Sequence, residues 1–194
     1  MCEPFMPDWK QDRHRRIMTT QEAGWYWAEG DPEGTKRYWT GEAWAPGIVG
    51  LEPWRRAGAK IIDIAIMIVL ALLLGLIFGG GVGSTYLLTL LTLIVAVCYE
   101  VGFVTTKGGT PGKLILGFRI VEVENGMTPP KGSVAALRWA PGLIGVIPFV
   151  GAIASIAIFV VCVYWLFSDP NRQTVYDRVA KTYVVLVPKN ETVL

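Results

Sequence analysis

Charge is missing from this chain where a soluble domain could not do without it. No Asp, Glu, Lys or Arg occurs from Ile64 to Tyr99, and none occurs from Trp139 to Ser168. A helix needs roughly 20 apolar residues to cross the hydrocarbon core of a bilayer. The first blank is therefore long enough for two short crossings, with the glycines of Gly75–Thr85 as the turn. Over the 194 residues only 18% are charged, where a soluble domain carries about 25%, and 52% are hydrophobic. These absences exclude an ordinary soluble domain and predict an integral membrane protein.

Other residue types are also scarce. There are three cysteines, Cys2, Cys98 and Cys162, and no CxxC pair. That excludes both a disulfide framework and a cysteine metal site; within an apolar run a free cysteine acts as a small hydrophobe. The single histidine, His14, sits in the charged segment KQDRHRR and reads as solvated. A net charge of +2 without any Lys/Arg-rich run argues against nucleic acid as a partner. Residues 1–54 are polar and Trp-rich, so no cleavable signal peptide is expected, and no apolar stretch precedes Cys2 to make a lipoprotein signal. No nucleophile–base pair, metal cluster or nucleotide motif is visible, so neither an enzyme nor a cofactor is expected. The segment GGTPGK (residues 108–113) departs from the phosphate-loop pattern because Leu114 follows Lys113.

What is present falls into four parts. Residues 1–20 are charged and aperiodic and read as a disordered tail. Residues 21–47 carry two aromatic clusters, Trp25-Tyr26-Trp27 and Tyr38-Trp39 with Trp44, separated by the turn formers of Gly30–Gly34 and Thr40-Gly41. That pattern predicts two or three very short strands whose only packing is stacked tryptophan. Its bland reading is a folded cytoplasmic knob. The sharper one is a docking surface on Trp25, Tyr38, Trp39 and Trp44, because exposed tryptophans are frequent binding hot spots. Residues 54–187 form the membrane part, and 188–194 a short tail.

Within the membrane part, crossings are expected at about Ala57–Phe78 and Ser84–Val104. Basic residues flank both outer ends, with Arg55, Arg56 and Lys60 before the first and Lys107 and Lys113 after the second. The excess of basic residues on cytoplasmic loops then places both outer ends inside. LILGFRIVEVENGM alternates and turns at Glu124-Asn125-Gly126, which predicts a cytoplasmic β-hairpin. The second apolar region would export a basic tail if it crossed once. A tilted or interfacial helix at Val134–Ile147, broken at Pro148-Phe149, followed by a crossing at Gly151–Phe167, fits better. The predicted fold is thus an all-α integral membrane protein: a small helical bundle of two transmembrane helices plus a broken helix/transmembrane hairpin. A small N-terminal aromatic β module and a cytoplasmic β-hairpin complete it.

The few charges at the edges of the blanks are the candidate functional residues: Arg56, Asp63, Glu100, Asp177 and Arg178. An ionisable group at membrane depth is costly and needs a partner. Arg56 and Asp63 share a helix face, Lys60 lies one turn from Asp63, and Arg178 should return to the same surface. The expectation is that Asp63 pairs with a basic group and locks the helices. The competing expectation is that Asp63 and Glu100 bind a proton or cation on a transport path.

Two resemblances lie on these residues. Gly24, Trp25, Tyr26, Asp31, Pro32, Gly34, Arg37, Tyr38, Trp39, Gly41 and Trp44 resemble a small actinobacterial module of pattern GWYxDPxGxxxxRYWDGxxWT, with Thr40 in place of its Asp and extra residues before Asp31. RRAGAKIID, TPGKLILGFRIVEVENG, LRW and DPNRQTVYDRVAKTYVV are similar to the RDD family of bacterial membrane proteins. Arg56 and Asp63 match that family's arginine and first aspartate. Thr110, Gly112, Lys113, Leu116, Gly117, Arg119 and Val121 match its central element. Asp177, Ala180, Thr182, Val184 and Val185 match its terminal element, where Tyr176 replaces a histidine. The resemblance implies a multi-pass protein of the bacterial plasma membrane with both termini cytoplasmic. Members are linked to cation/proton exchange, and RDD segments also occur in proteins associated with actinobacterial lipid-import (Mce) machinery. The expected function is a membrane accessory subunit that docks onto a larger complex, such as that machinery. The runner-up is a cation or proton transporter of the Na+/H+ type. Expected partners are the lipid bilayer and other membrane proteins, or a second copy of the chain.

Overall fold

The computed structural model describes residues 21–79, 82–147 and 149–188. The N-terminal tail with Cys2 and His14, two glycines of the predicted turn, Pro148 and residues 189–194 lie outside the described residues.

Three strands come first: β1 (Gly24–Tyr26), β2 (Lys36–Trp39) and β3 (Trp44–Val49). They pair in sequence as an antiparallel meander, as the turn formers between the aromatic clusters predict. Helix α1 (Pro53–Phe78) follows and starts on a proline, the residue whose fixed φ suits a first helical turn. Its buried residues are Arg56, Ala59 and Asp63, a face set by the 3.6-residue period. The rest of α1 is a Leu/Ile/Ala run with no partner it must find in water. Helix α2 (Val82–Val97) continues through a π-turn at Cys98–Gly102 into α3 (Phe103–Lys107).

A short helix, α4 (Pro111–Ile115), leads into β4 (Phe118–Glu122). Helix α5 (Gly132–Trp139) passes into a 3₁₀ segment at Ala140–Val146, where Pro141 cannot continue the α-helical bonding. Together these two pieces extend about 26 Å. The chain then reverses: Gly151 sits against Ile144 and Gly145, leaving no room there for a side chain. Helix α6 (Val150–Ser168) runs back, followed by α7 (Val175–Val179) and β5 (Thr182–Leu186). Three helical stretches are long and apolar enough to cross a membrane: Pro53–Phe78, Thr85–Lys107 and Val150–Ser168.

The predicted hairpin around Glu124–Gly126 does not form. The turn is there, since Gly126 N–H donates to the Glu122 carbonyl, but β4 pairs with the sequence-distant β5, from Phe118↔Leu186 to Glu122↔Thr182. After the turn the chain meets Pro129 and Pro130, which cannot donate to a ladder. The Val-rich terminal strand can.

The all-α expectation also needs correcting, because all five strands form one antiparallel sheet in the order β1-β2-β3-β5-β4. Strand β3 adds to β5 through Ile48↔Leu186 and Val49↔Val185. Thus the aromatic unit does not rest on stacked tryptophan alone. Trp25 packs edge-on against Tyr38 at 5.2 Å and against Tyr183 of β5 at 4.9 Å. Its indole N–H donates to the Val123 carbonyl at 2.7 Å, and the Tyr38 hydroxyl donates to the Glu124 carbonyl at 3.1 Å. Val49, Val121 and Val185 are buried together beneath this contact. A second core of Ala59, Val104, Phe118, Ile120, Ala135 and Val184 ties the helix ends to the other side of β4 and β5.

Gly47 marks the seam between β3 and β5. A Cβ there would lie 2.4 Å from Val185 Cγ2, and overpacking of this kind costs roughly 1–3 kcal/mol. Gly47→Ala should therefore lower the melting temperature of the full chain and speed amide exchange in β5. Exchange in β5 unchanged from the parent would contradict the seam.

Candidate functional site

The site is built at the end of the bundle where α1 begins, α3 and α6 end, and α5 starts. Trp54 stacks on Phe167 at 4.7 Å there. Asp177 is its centre and is completely buried. Its local conformation comes from a capping box at the start of α7. The Asp177 N–H donates to the Thr174 hydroxyl at 3.4 Å, and the Thr174 N–H and hydroxyl donate to Asp177 Oδ2 at 2.9 and 2.8 Å. This arrangement satisfies the first amides of the helix.

The carboxylate then takes two guanidinium groups. Arg138 donates from Nη2 and Nε to Oδ1 at 2.7 and 3.1 Å. Arg56 donates from Nη2 to Oδ2 at 3.1 Å and from Nη1 to the Arg172 carbonyl at 2.6 Å. Arg138 Nη1 also reaches Glu100 Oε1 at 3.3 Å. One buried anion therefore joins α1, α5 and α7, and Glu100 adds the second span. Burial alone would raise the pKa of Asp177, but Arg138 and then Arg56 outweigh it and hold the carboxyl well below the usual range. Burial also works against the charge on Arg138, yet Asp177 and Glu100 outweigh it and raise that group.

Asp63 lies on the same face of α1 and is also buried, but its partners are neutral. Oδ1 accepts from the Tyr99 hydroxyl at 2.7 Å and from the Gly112 N–H at 2.8 Å, and Oδ2 accepts from the Thr110 hydroxyl at 2.6 Å. Thr110 is the N-cap of α4 and makes no side-chain bond to that helix itself. Asp63 supplies the missing acceptor from a different helix, so the helix N-terminus takes the chain's own carboxylate. This also explains the GGTPGK segment: the buried Gly112 amide faces Asp63. Gly112 is required by the fit, since a Cβ would lie 2.3 Å from the Ala59 carbonyl oxygen. The π-turn at Cys98–Gly102 carries both Tyr99 and Glu100, and such turns often reset which residues a helix points inward.

The structure thus brings Arg56, Glu100 and Asp177 into one network and places Asp63 beside it. The expected basic partner of Asp63 is absent from its hydrogen bonds: Arg56 is turned to Asp177 instead. Arg178 stands apart, exposed, bonded to Asp169 at 2.8 Å and lying 4.0 Å over the Trp165 ring. The aromatic residues singled out for docking are engaged internally. Tyr38 and Trp39 are buried, and Trp44 lies 5.2 Å from Trp39. Trp27 is the exposed one, at 53%.

Arg138, Tyr99, Thr110, Gly112 and Thr174 were not among the candidate site residues. A signal existed for Thr174, three residues before Asp177 in a capping-box spacing, and for Arg138, a lone charge at the edge of an uncharged run. Nothing local marks Tyr99 or Gly112 as partners of a residue on another helix.

Lys113 follows Gly112 and is half-buried. Burial, followed by the nearby Arg138, pulls its ammonium from 10.5 down to about 7, against the opposing pull of Glu100 and Asp63.

The RDD family profile matches residues 52–181, which include every residue of this site. No curated protein gives a significant match, and neither does any solved structure.

Two outcomes follow from this geometry. Asp177→Ala strands two buried guanidinium groups and should cost roughly 3–5 kcal/mol of stability. Asp63→Asn keeps the shape but loses one acceptor, and should cost about 1–3 kcal/mol. Denaturant titration in detergent gives both values, and a milder effect at Asp177 than at Asp63 would contradict the network. The second outcome concerns pH. Between about 7 and 10.5 an unfolded chain keeps the Lys113 proton while the folded one has lost it. Stability should therefore rise with pH across that window, and Lys113→Met should flatten the rise.

Proposed function

Because this chain belongs to the RDD family, and because Arg56, Arg138, Glu100, Asp63 and Asp177 at its centre are spent on holding helices together, we propose that it is a membrane accessory subunit. It docks other membrane proteins and catalyses no reaction. The observation that carries this reading is the exposure of its long helices. Only 6% of the most apolar stretch is buried within the protein for Pro53–Phe78 and for Thr85–Lys107, and 11% for Val150–Ser168. The three are fastened at one end by the Asp177 network and leave most of their apolar surface to lipid or to another protein. A larger complex of the bacterial plasma membrane supplies such a partner, and lipid-import machinery is the first to examine.

The cation or proton transporter is the second reading. Asp63 and Glu100 favour it, as carboxylates at the edge of the spans. The saturation of Asp63 by Tyr99, Thr110 and Gly112 weighs against it, because a transported ion would have to displace all three donors.

The orientation follows from charge. Arg55, Arg56, Lys107, Lys113, Arg138 and Arg172 gather at the end where the sheet lies, which is the cytoplasmic end by the positive-inside rule. Both termini then face the cytoplasm, and the α5–3₁₀ limb and α6 enter and return together.

Two measurements test the proposal. Purification from native membranes at endogenous levels should recover a larger membrane complex, and proton or sodium flux from the purified chain in liposomes should be absent. Flux abolished by Asp63→Asn, in a variant that melts normally, would instead establish the transporter. In a background free of Cys2, Cys98 and Cys162, an impermeant thiol reagent should label Ser84→Cys in intact cells and leave Glu42→Cys untouched. Labelling of Glu42→Cys would overturn the orientation.

A further inference from the structure

The charged end of the helices holds more cations than anions. Arg56, Lys60, Lys113, Arg138 and Arg172 face Asp63, Glu100 and Asp177 there, five against three. Asp177 is shared by Arg56 and Arg138, and Arg138 also engages Glu100. Asp63 is saturated by neutral donors. Arg172 is turned to the Leu166 and Phe167 carbonyls, which leaves the two lysines. Among the described residues Lys113 has only the Thr110 hydroxyl oxygen, at 3.5 Å, and Lys60 has no hydrogen-bonded partner. Glu100 acts electrostatically on both lysines, Lys60 ahead of Lys113, but its hydrogen bond goes to Arg138.

Their position is as telling as their charge. Lys60 is exposed on α1, about 10 Å along the helix from Pro53, between lipid-facing neighbours. Ile61 is 66% exposed and Ile64 46% exposed. A lysine there extends its chain along the apolar surface and lifts its ammonium to headgroup level. Lys113 belongs to α4, which packs directly on α1 at Gly112 and Ala59. The next residue but one, Ile115, is 68% exposed. Two cations thus meet at the membrane interface with apolar surface around them and no bonded carboxylate.

We propose that Lys60 and Lys113 together bind the phosphate of an anionic phospholipid. A phosphodiester supplies oxygens for both ammonium heads and a negative charge against the surplus of cations. Its acyl chains would lie along Ile61 and Ile64. Burial beside Arg138 leaves Lys113 easily deprotonated, and a phosphate would restore its charge. The site does not depend on what else the protein docks.

The test is native mass spectrometry of the full chain from nanodiscs containing equal amounts of phosphatidylglycerol and phosphatidylcholine. The parent should retain phosphatidylglycerol preferentially, with each lysine contributing about fivefold. Lys60→Gln/Lys113→Gln should reduce the preference to parity. Lys60→Gln alone changes an exposed side chain and should remove about half of it on a logarithmic scale. Lys107→Gln, an exposed interfacial lysine outside the cluster, should leave it intact. Millimolar inorganic phosphate should displace none of the lipid. Equal retention of the two lipids by the parent would overturn the proposal. So would an undiminished preference in Lys60→Gln, or displacement by free phosphate, which would mark a soluble-anion site.

Discussion

A buried charge has to be answered, and in this protein Asp177 is the charge that the rest of the assembly answers. An unpaired carboxylate in a dry site costs several kcal/mol. Here it is met by Arg138 from one helix and Arg56 from another, and by the cap of its own short helix. Each arginine is likewise buried and needs the carboxylate. No member can be withdrawn without stranding another, which makes the cluster a register device for elements that lie 39 and 121 residues away along the chain. The long apolar helices supply no such register, because hydrocarbon side chains are as well solvated by lipid tails as by each other.

Asp63 solves the same problem differently. It sits one face-repeat along α1 from Arg56, yet the two are not partners. Its negative charge is spread over two hydroxyls and a backbone amide, and it fixes α4 against α1. Because α4 opens directly into β4, this capping contact also positions the sheet relative to the membrane helices. The cluster and the cap hold the fold at one end; at the far end of α6, Gly151 packs on Ile144 and Gly145, and the apolar faces of the spans stay exposed.

The sheet joins two parts of the chain that differ in composition. The aromatic unit of β1–β3 cannot bury a core alone, and β4–β5 would present an open Val-rich edge without it. Pairing β3 with β5 settles both, since it gives Trp25 and Tyr38 a floor at Val123, Glu124 and Tyr183 and covers an edge that would otherwise invite association. The aromatic surface that suggested docking is already occupied by the chain's own terminal strand.

The sequence by itself determined a good deal. The uncharged runs marked the long helices, because nothing but membrane solvates such surface. Gly and Pro between aromatic clusters marked β1–β3; the helix expected over Val134–Ile147 with a break at Pro148-Phe149 instead leaves the α-helical form at Trp139, before Pro141. Arg56 and Glu100 were legible as important because charges at the edge of a membrane run must be paired, and Asp177 through its match to the terminal element of the RDD family. Tertiary structure alone decided which charge pairs with which. Arg56 chooses Asp177 over Asp63, and β4 chooses β5 over its own neighbour. In both cases the preferred partner is distant in sequence, and the choice depends on where the whole fold places it. Local spacing records that a buried charge or a strand edge needs a partner; only the folded chain brings that partner within bonding reach.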